Sequence, residues 1–381
     1  MNLQLENIFE TLSKQCTRCR LCVESCEHLK KYQVMPGDVA QAFMEGKKEE
    51  SFLSFIVECS LCGLCREICP YKIDFPQFVL SARQSFIDAG AIPPQIYRPY
   101  WVDHDWHLFR LFRESYELES YYQALVKKSC EFLFFPGCML ANASPLIVED
   151  VVNWLTDRWK DVGVMVDCCG APLRQIGLIR REKTYLDNLR KSIVKTGAKT
   201  IITACPTCHS LLKKIETDIE IVSIFQVMAE SGITLPVLDC GPVTVHDSCS
   251  DRSGEIGRYV RKLLHKFDIK EMRHHGAKTI CCGSGGLVSV IDNVICSQRA
   301  EKRMEEIKDC AAKLCITYCM SCTIRLFDGT GREVRHLLEL LFDRKIDHLK
   351  FNEKCSTMWS GVKGEKIRQR IRRSKLRVFE N

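Results

Sequence analysis

The sequence predicts an α/β protein in which an α-helical N-terminal domain precedes two duplicated α/β units. Three observations carry that prediction. The first 90 residues hold two cysteine runs of identical spacing, and an apolar stretch of helical character, Ser51 to Val57, leads into the second. From residue 131 onward, short β-branched runs bounded by Gly and Pro alternate with segments of helical periodicity, which implies a mostly parallel sheet. The cysteines of this later part fall into two sets with matching internal spacing, the mark of a repeated unit.

Taken in order, residues 1–90 form the helical domain with both cysteine runs, 91–130 a linker, 131–240 the first α/β unit, 241–345 the second, and 346–381 a basic tail. The linker carries Pro93-Pro94, Pro99 and several Tyr and Trp residues, so it is expected to wrap an apolar surface. Flexible tethers are rich in Gly and Ser instead. In the first unit Glu131–Phe135 precedes Cys138, Val162–Val166 precedes Cys168 and Cys169, and Lys199–Thr203 precedes Cys205. In the second, Val243–Val245 precedes Cys249, Ala277–Ile280 precedes Cys281 and Cys282, and Ala312–Thr317 precedes Cys319. These runs read as buried strands, and Ile147–Trp159, Lys183–Lys195, Gly257–Phe267 and Asn293–Lys308 read as helices. There are 29 residues between Cys138 and Cys168 and 31 between Cys249 and Cys281; Cys169 to Cys205 and Cys282 to Cys319 enclose 35 and 36. Rossmann-like units of this kind gather ligands at the carboxyl ends of their strands, where these cysteines lie. Two of them imply a pseudo-twofold pair of sites facing each other.

Bulk properties narrow the function. A chain of 381 residues suits two or three domains, and its 46% hydrophobic and 27% charged residues are ordinary for a soluble globular protein. The 24 cysteines are the anomaly. Disulfide scaffolds belong to short secreted chains, whereas Met1 to Glu10 lacks the basic region and apolar core of a secretory leader. Metal ligation in a reducing cytoplasm is the expectation. No run approaches about 18 apolar residues, so no membrane span is expected, and membrane association would come through a partner or peripheral contact. The net charge of +7 is concentrated in residues 361–381, with eight basic and two acidic side chains. That tail reads as a solvated helix, or as a contact for anionic lipid or an acidic partner. Nucleic acid is not expected, because aromatic interleaving and any recognised motif are missing.

Eight cysteines form two C-x2-C-x2-C-x3-C runs: Cys16, Cys19, Cys22, Cys26, and Cys59, Cys62, Cys65, Cys69 followed by Pro70. Zinc favours separated C-x2-C pairs; the four-cysteine run is the bacterial ferredoxin pattern for [4Fe–4S] clusters. In that pattern the fourth cysteine serves the other cluster. One cubane is therefore expected on Cys16, Cys19, Cys22 and Cys69, and a second on Cys59, Cys62, Cys65 and Cys26. Glu27 stands where the first run would often have Pro, which leaves ligation intact.

Ten more cysteines form two C…CC-G…C-x2-C sets: Cys138, Cys168, Cys169, Cys205, Cys208, and Cys249, Cys281, Cys282, Cys319, Cys322. Adjacent thiolates do not easily serve separate corners of one cubane. They suit an opened or bridged cluster with closely spaced irons, where an open iron can take a substrate sulfur. On Pro136-Gly-Cys138, Cys168-Cys-Gly-Ala-Pro172, Cys205-Pro-Thr-Cys208, His246-Asp-Ser-Cys249, Cys281-Cys-Gly-Ser-Gly-Gly286 and Cys319-Met-Ser-Cys322, the two units resemble the cysteine-rich CCG domains of the heterodisulfide reductase family. With the ferredoxin-like front, the chain is similar to that family's D-type subunits over roughly residues 5–345. The family includes iron–sulfur subunits of anaerobic glycerol-3-phosphate, glycolate and lactate dehydrogenases.

The resemblance implies two non-cubane [4Fe–4S] clusters, one per complete five-cysteine motif. At least one is expected, and an ordinary cluster or none at the other site stays open. It also implies a small-molecule disulfide cleaved between the sites, with Cys168, Cys169, Cys281 and Cys282 as the catalytic cysteines. A flavoprotein, b-type cytochrome or hydrogenase would be the redox partner. The alternative is a non-catalytic subunit relaying electrons from a flavoprotein dehydrogenase to a quinone or cytochrome. No G-x-G-x-x-G fingerprint is present, so flavin or nicotinamide chemistry would lie in a partner.

The remaining candidates are weaker. Cys130, Cys240, Cys296, Cys310, Cys315 and Cys355 lie outside the motifs and read as core packing. His246 reads as a strand-end structural residue or as a proton donor to a leaving thiolate. Arg174 and Arg252 read as surface charge or anion contacts. Gly170, Gly283 and Gly285-Gly286 read as turns or as close approaches of backbone to a cluster.

Overall fold

The computed structural model describes residues 3–46, 50–215, 217–236, 241–327 and 333–377. Cys240 lies outside them. The N-terminal domain is helical. Leu3–Gln15, Pro36–Met44, Glu50–Val57 and Phe75–Asp88 surround an aromatic core in which the Phe9 ring lies 4.4 Å from Phe43 and 4.9 Å from Phe78, both edge-on. The last of these helices starts where Asp74 accepts a hydrogen bond from the Gln77 amide and Pro76 sits in the first turn, two ordinary start signals.

Two parallel sheets follow. Strands β1 (Phe132–Phe135), β2 (Val162–Val164), β3 (Thr200–Thr203) and β4 (Glu220–Ser223) pair in the order β2-β1-β3-β4. Strands β5 (Val243–His246), β6 (Leu314–Thr317) and β7 (Glu333–His336) pair in the order β5-β6-β7. The registers match across the units: Phe132 lies opposite Thr200, and Val243 opposite Leu314. Central strands are apolar throughout because helices cover both faces of a parallel sheet. The expected helices are present as Pro145–Arg158, Ile179–Lys195, Gly257–Leu263 and Asn293–Asp309.

Three elements differ from the sequence reading. The edge strands β4 and β7 were not expected; Glu220 and Glu333 interrupt their apolar character. Ala277–Ile280 is not a strand but follows a 3-10 turn at Gly276–Lys278. Its backbone is used otherwise: the carbonyls of Ala277 and Thr279 accept from Arg252, and the Thr279 hydroxyl donates to the Asp247 carbonyl. The counterpart of β2 shrinks to one parallel bridge, Val243 to Ile269. The tail is not a solvated helix. Helix Gly361–Arg373 buries Ile367 and Ile371 against Leu111, Phe112 and Phe351. The linker receives it: Arg98 donates to the carbonyls of Ile371, Arg372 and Ser374, and Arg377 pairs with Asp167 at 2.7 Å.

One core joins the two α/β units, running from Phe134 and Ile202 through Phe225 to Val245, Ile316 and Leu338. The N-terminal domain docks mainly on the second unit, through guanidinium groups. Buried Arg83 donates to the carbonyls of Ile56, Val57 and Cys59 in its own domain, and to Gln175 and Gly286 beyond it. Arg299 donates to the Ser60 hydroxyl at 2.6 Å and the Glu58 carbonyl at 2.9 Å. Arg252 donates to the Cys62 carbonyl at 2.7 Å. Gly286 makes the close approach possible: its φ is 73°, and a Cβ there would lie 2.6 Å from the Cys59 carbonyl oxygen.

Gly286→Ala is expected to cost about 2–4 kcal/mol in denaturant unfolding, from backbone strain plus overlap. Gly90→Ala, at φ 74° with nothing within 4 Å, isolates the strain and should cost about 1 kcal/mol. Equal costs would mean the domains separate without resistance. In the tail, Arg377→Met strands the Asp167 carboxylate and is expected to cost about 2 kcal/mol, most of it recovered in Arg377→Met/Asp167→Asn. Burial opposes ionisation of Asp167, but Arg377 and the Cys168 amide hold its pKa below the usual carboxylate range. The contribution is therefore present above the unfolded carboxylate value of about 4 and is lost as pH falls through the folded value, so the gap between wild type and Arg377→Met should close in acid.

Candidate metal centres

The two ferredoxin-type runs fold alike. In each, the residue before and the residue after the second cysteine take left-handed backbone angles: Arg18 and Arg20 around Cys19, Leu61 and Gly63 around Cys62. Three of these four are not glycine, and such angles persist only where the surroundings impose them. The turns curl each loop so that three sulfurs face inward, and a short helix follows, Leu21–Ser25 or Leu64–Glu67. Two cavities result. Cys16, Cys19, Cys22 and Cys69 line one, with Met35 and Ile73. Cys26, Cys59, Cys62 and Cys65 line the other, with Arg299 and Cys281. Cys65 also reaches the wall of the first. Each fourth cysteine thus stands in the cavity of the opposite run. Burial and the neighbouring thiols push Cys22 up to about 12, and burial with Cys62 does the same to Cys26. Thiolates in so dry a space are favoured only with a cation among them, which is the donor set an iron cluster requires.

The five-cysteine sets sit where the strand argument places them. Cys138 and Cys205 follow β1 and β3, and Cys249 and Cys319 follow β5 and β6. All ten thiols are free of disulfides, and Cys168, Cys169, Cys281 and Cys282 are all buried. The sulfurs connect in the same order in both units. Thiol hydrogen bonds run Cys138–Cys168–Cys169–Cys208–Cys205 in the first. In the second they run Cys249–Cys281–Cys282–Cys322–Cys319, with Cys282 and Cys322 Sγ 3.3 Å apart. The central cysteine of each chain is drawn well below the usual thiol value: Cys169 by hydrogen bonds from Cys168 and Cys208, Cys282 by those from Cys281 and Cys322. The outer neighbours Cys168, Cys208 and Cys322 are pushed well above it. A bound metal would replace these shared protons. Gly137, at φ 81°, clears the first site, since a Cβ there would lie 2.9 Å from Cys205 Cβ.

The second set alone touches the ferredoxin-type region: the Cys62 thiol hydrogen-bonds to Cys281. Arg299 stands beside this contact. Burial opposes its charge, while Cys281, Cys26, Cys59 and Cys62 around it hold its pKa up. The two units also meet each other, with Thr207 and Ser250 hydroxyls 2.8 Å apart. Surroundings differ between the sets. Cys168 is flanked by Asp167, whose Oδ1 accepts from the Cys168 amide, and by Tyr185, whose hydroxyl lies 2.8 Å from the Cys168 carbonyl oxygen. Near Cys282 stand His246 and Cys322, their ligating atoms within 4.8 Å of one another.

Other expectations resolve as follows. Cys130, Cys296 and Cys315 are buried, while Cys310 and Cys355 are half-buried. Arg174 pairs with Glu182, and His274 with Glu306. Gly170 and Gly283 take left-handed angles beside their doubled cysteines, whereas Gly285 and Gly286 pack against Ser60 and Cys59 of the N-terminal domain. Sequence reasoning missed Arg83, Arg299 and Arg303. Arg83 had a signal: it lies on the apolar stripe of its helix, between Val79 and Phe86, where a lone cation needs a buried partner.

Comparison with known proteins agrees with this architecture. The 4Fe-4S dicluster domain matches residues 15–74, and the cysteine-rich CCG domain matches 132–213 and 243–327. An uncharacterized iron-sulfur protein of Methanocaldococcus jannaschii is 24% identical over 324 residues, covering 80% of this chain and 63% of that one, so the chain spans under two thirds of that relative. The D-type subunit of the dihydromethanophenazine:CoB–CoM heterodisulfide reductase of Methanosarcina acetivorans is 22% identical, covering 77% of this chain and 76% of that one. The EtfAB:quinone oxidoreductase of Syntrophomonas wolfei is 23% identical, covering 72% and 43%. Among solved structures, a glutamate racemase of Bacillus anthracis matches at 12% identity with a TM-score of 0.32, covering 60% of this chain and 82% of that one, too low to establish a shared fold. No helix of the described residues is long and apolar enough to cross a membrane. One dicluster domain followed by two cysteine-rich domains, aligned to the reductase's D-type subunit over most of its length, makes this chain an iron–sulfur protein of the heterodisulfide reductase family, of the D-subunit type.

Proposed function

We propose that this chain is an oxidoreductase subunit that passes electrons from its two ferredoxin-type sites to its two five-cysteine sites and there reduces a small-molecule disulfide. The contact between Cys62 and Cys281 carries this reading, because it joins the two kinds of site directly. Cys16, Cys19, Cys22 and Cys69 would hold one cubane cluster, and Cys26, Cys59, Cys62 and Cys65 the other. Cys138, Cys168, Cys169, Cys205 and Cys208 would hold one non-cubane cluster, and Cys249, Cys281, Cys282, Cys319 and Cys322 the second. Bound clusters would supply one-electron carriage and iron for a substrate sulfur. The chain's own residues set the conditions. Arg299 places positive charge among Cys26, Cys59, Cys62 and Cys281, which favours added electrons on both sides of the contact. Burial of the doubled cysteines keeps water from the reacting sulfurs. The reaction consumes two electrons and two protons, breaks one S–S bond and releases two thiols. A flavoprotein, b-type cytochrome or hydrogenase in the cytoplasm would be the electron source.

The relation to an EtfAB:quinone oxidoreductase favours a second reading, in which the chain only relays electrons between a flavoprotein and a quinone or cytochrome. Anaerobic assay of the isolated chain with a chemical reductant and the CoB–CoM heterodisulfide separates the two. Turnover supports the first, and its absence alongside fast exchange with a flavoprotein supports the second.

About sixteen irons per chain are expected in the anaerobically purified protein, and about eight would sink the four-cluster assignment. Cys168→Ala and Cys281→Ala should each remove one five-cysteine signal. Only the Cys281 change should also move a cubane signal, because only Cys281 touches Cys62.

A further inference from the structure

The two five-cysteine sites share their sulfur order but not their strand ends. Three residues before the first cysteine of each set, the first unit has Phe135 and the second has His246. Phe135 is fully buried and apolar. His246 is 2% exposed, closes β5, and brings a ring nitrogen among the sulfurs of Cys282 and Cys322, all within 4.8 Å. Its two nitrogens have different surroundings. Nδ1 faces Arg303 Nε at 2.8 Å. Nε2 is buried with no hydrogen-bond partner among the described residues.

Arg303 decides the tautomer. A guanidinium N–H donates and never accepts, so Nδ1 of His246 must present its lone pair. The ring proton then resides on Nε2. Arg303 itself cannot turn away: it is fully buried and bound to the Glu306 carboxylate at 2.8 Å and the His274 carbonyl at 2.7 Å. A ring nitrogen carrying a proton has no lone pair for iron. It can only donate.

We propose that His246 gives the second five-cysteine site an N–H···S hydrogen bond that the first site lacks, through Nε2–H to a cluster-bound sulfur, and so sets the two sites at different reduction potentials. His246 is thus a positioning and tuning residue rather than a metal ligand. Hydrogen bonds to cluster sulfurs raise reduction potential by stabilising the more negative state. The site beside Cys62 would then be the easier of the two to reduce. The inference rests on the second five-cysteine set holding a cluster, as proposed above.

The test is pulsed EPR on the reduced full chain with histidine labelled by nitrogen-15. A weak nitrogen coupling is expected at the second five-cysteine site and none at the first. It should vanish in His246→Phe, which copies the first unit, and the second-site potential should fall while the first stays put. His246→Gln, which retains an N–H, should restore part of that potential. A strong coupling typical of an iron–nitrogen bond would overturn the donor role. So would a fully loaded second site with no nitrogen coupling, or equal potential shifts at both sites. If His246→Phe does not fold, the coupling in the unaltered chain decides alone. A second site without iron would overturn the cluster assignment, and the hydrogen bond with it, which iron analysis distinguishes from a loaded site lacking the coupling.

Discussion

The rest of this structure depends on guanidinium groups buried against backbone carbonyls around one loop, residues 58–62. Arg83, Arg252 and Arg299 reach it from three elements, and each donates to a carbonyl or hydroxyl of that loop. Among the described residues, neither Arg83 nor Arg299 has a carboxylate partner. A buried cation without a counter-anion is costly. Carbonyl dipoles offset part of that cost, and the cysteines alongside offset more, since Cys59 favours the charge of Arg83 and Cys281 and Cys26 favour that of Arg299. A cluster with four thiolates is negative in either oxidation state, so the same guanidinium groups that join the domains also suit the electrostatics of an iron–sulfur site.

This clamp breaks the symmetry of the duplication. Both units build the same chain of five sulfurs, yet only the second is held against the ferredoxin-type loops. The first is finished by distant chain instead: the tail brings Arg377 to Asp167, next to Cys168. The second is finished by its own helix Asn293–Asp309, which supplies Arg299 and Arg303. Two sites of one ligand pattern thus sit in two dielectric and hydrogen-bonding environments, which is how a protein gives similar cofactors different roles.

Much of the site was legible because thiolate chemistry restricts spacing. The four-cysteine runs announce a cubane donor set, and the doubled cysteines at strand ends announce another kind. The helices came through where periodicity was strong, as in Asn293–Lys308. The reading failed where the signal was short or mixed. Ala277–Ile280 looks like a strand in sequence, but its carbonyls serve Arg252. The edge strands β4 and β7 carry glutamates that blur their pattern. The basic tail looked solvated because its charges outnumber its apolar residues, although Ile367 and Ile371 sit four apart on one face and are buried.

By itself, then, the sequence determined the inventory: eight cysteines in two runs, ten in two doubled sets, and a helical front ahead of two parallel α/β units. Local spacing suffices for that, because ligand geometry and strand or helix period act within a few residues. Only the tertiary structure decided which sulfurs meet. The placement of Cys62 against Cys281, of Arg303 behind His246 and of Arg377 beside Asp167 joins residues 219, 57 and 210 positions apart. No local pattern encodes such pairings. They follow from buried charges that find partners only when the whole chain has packed.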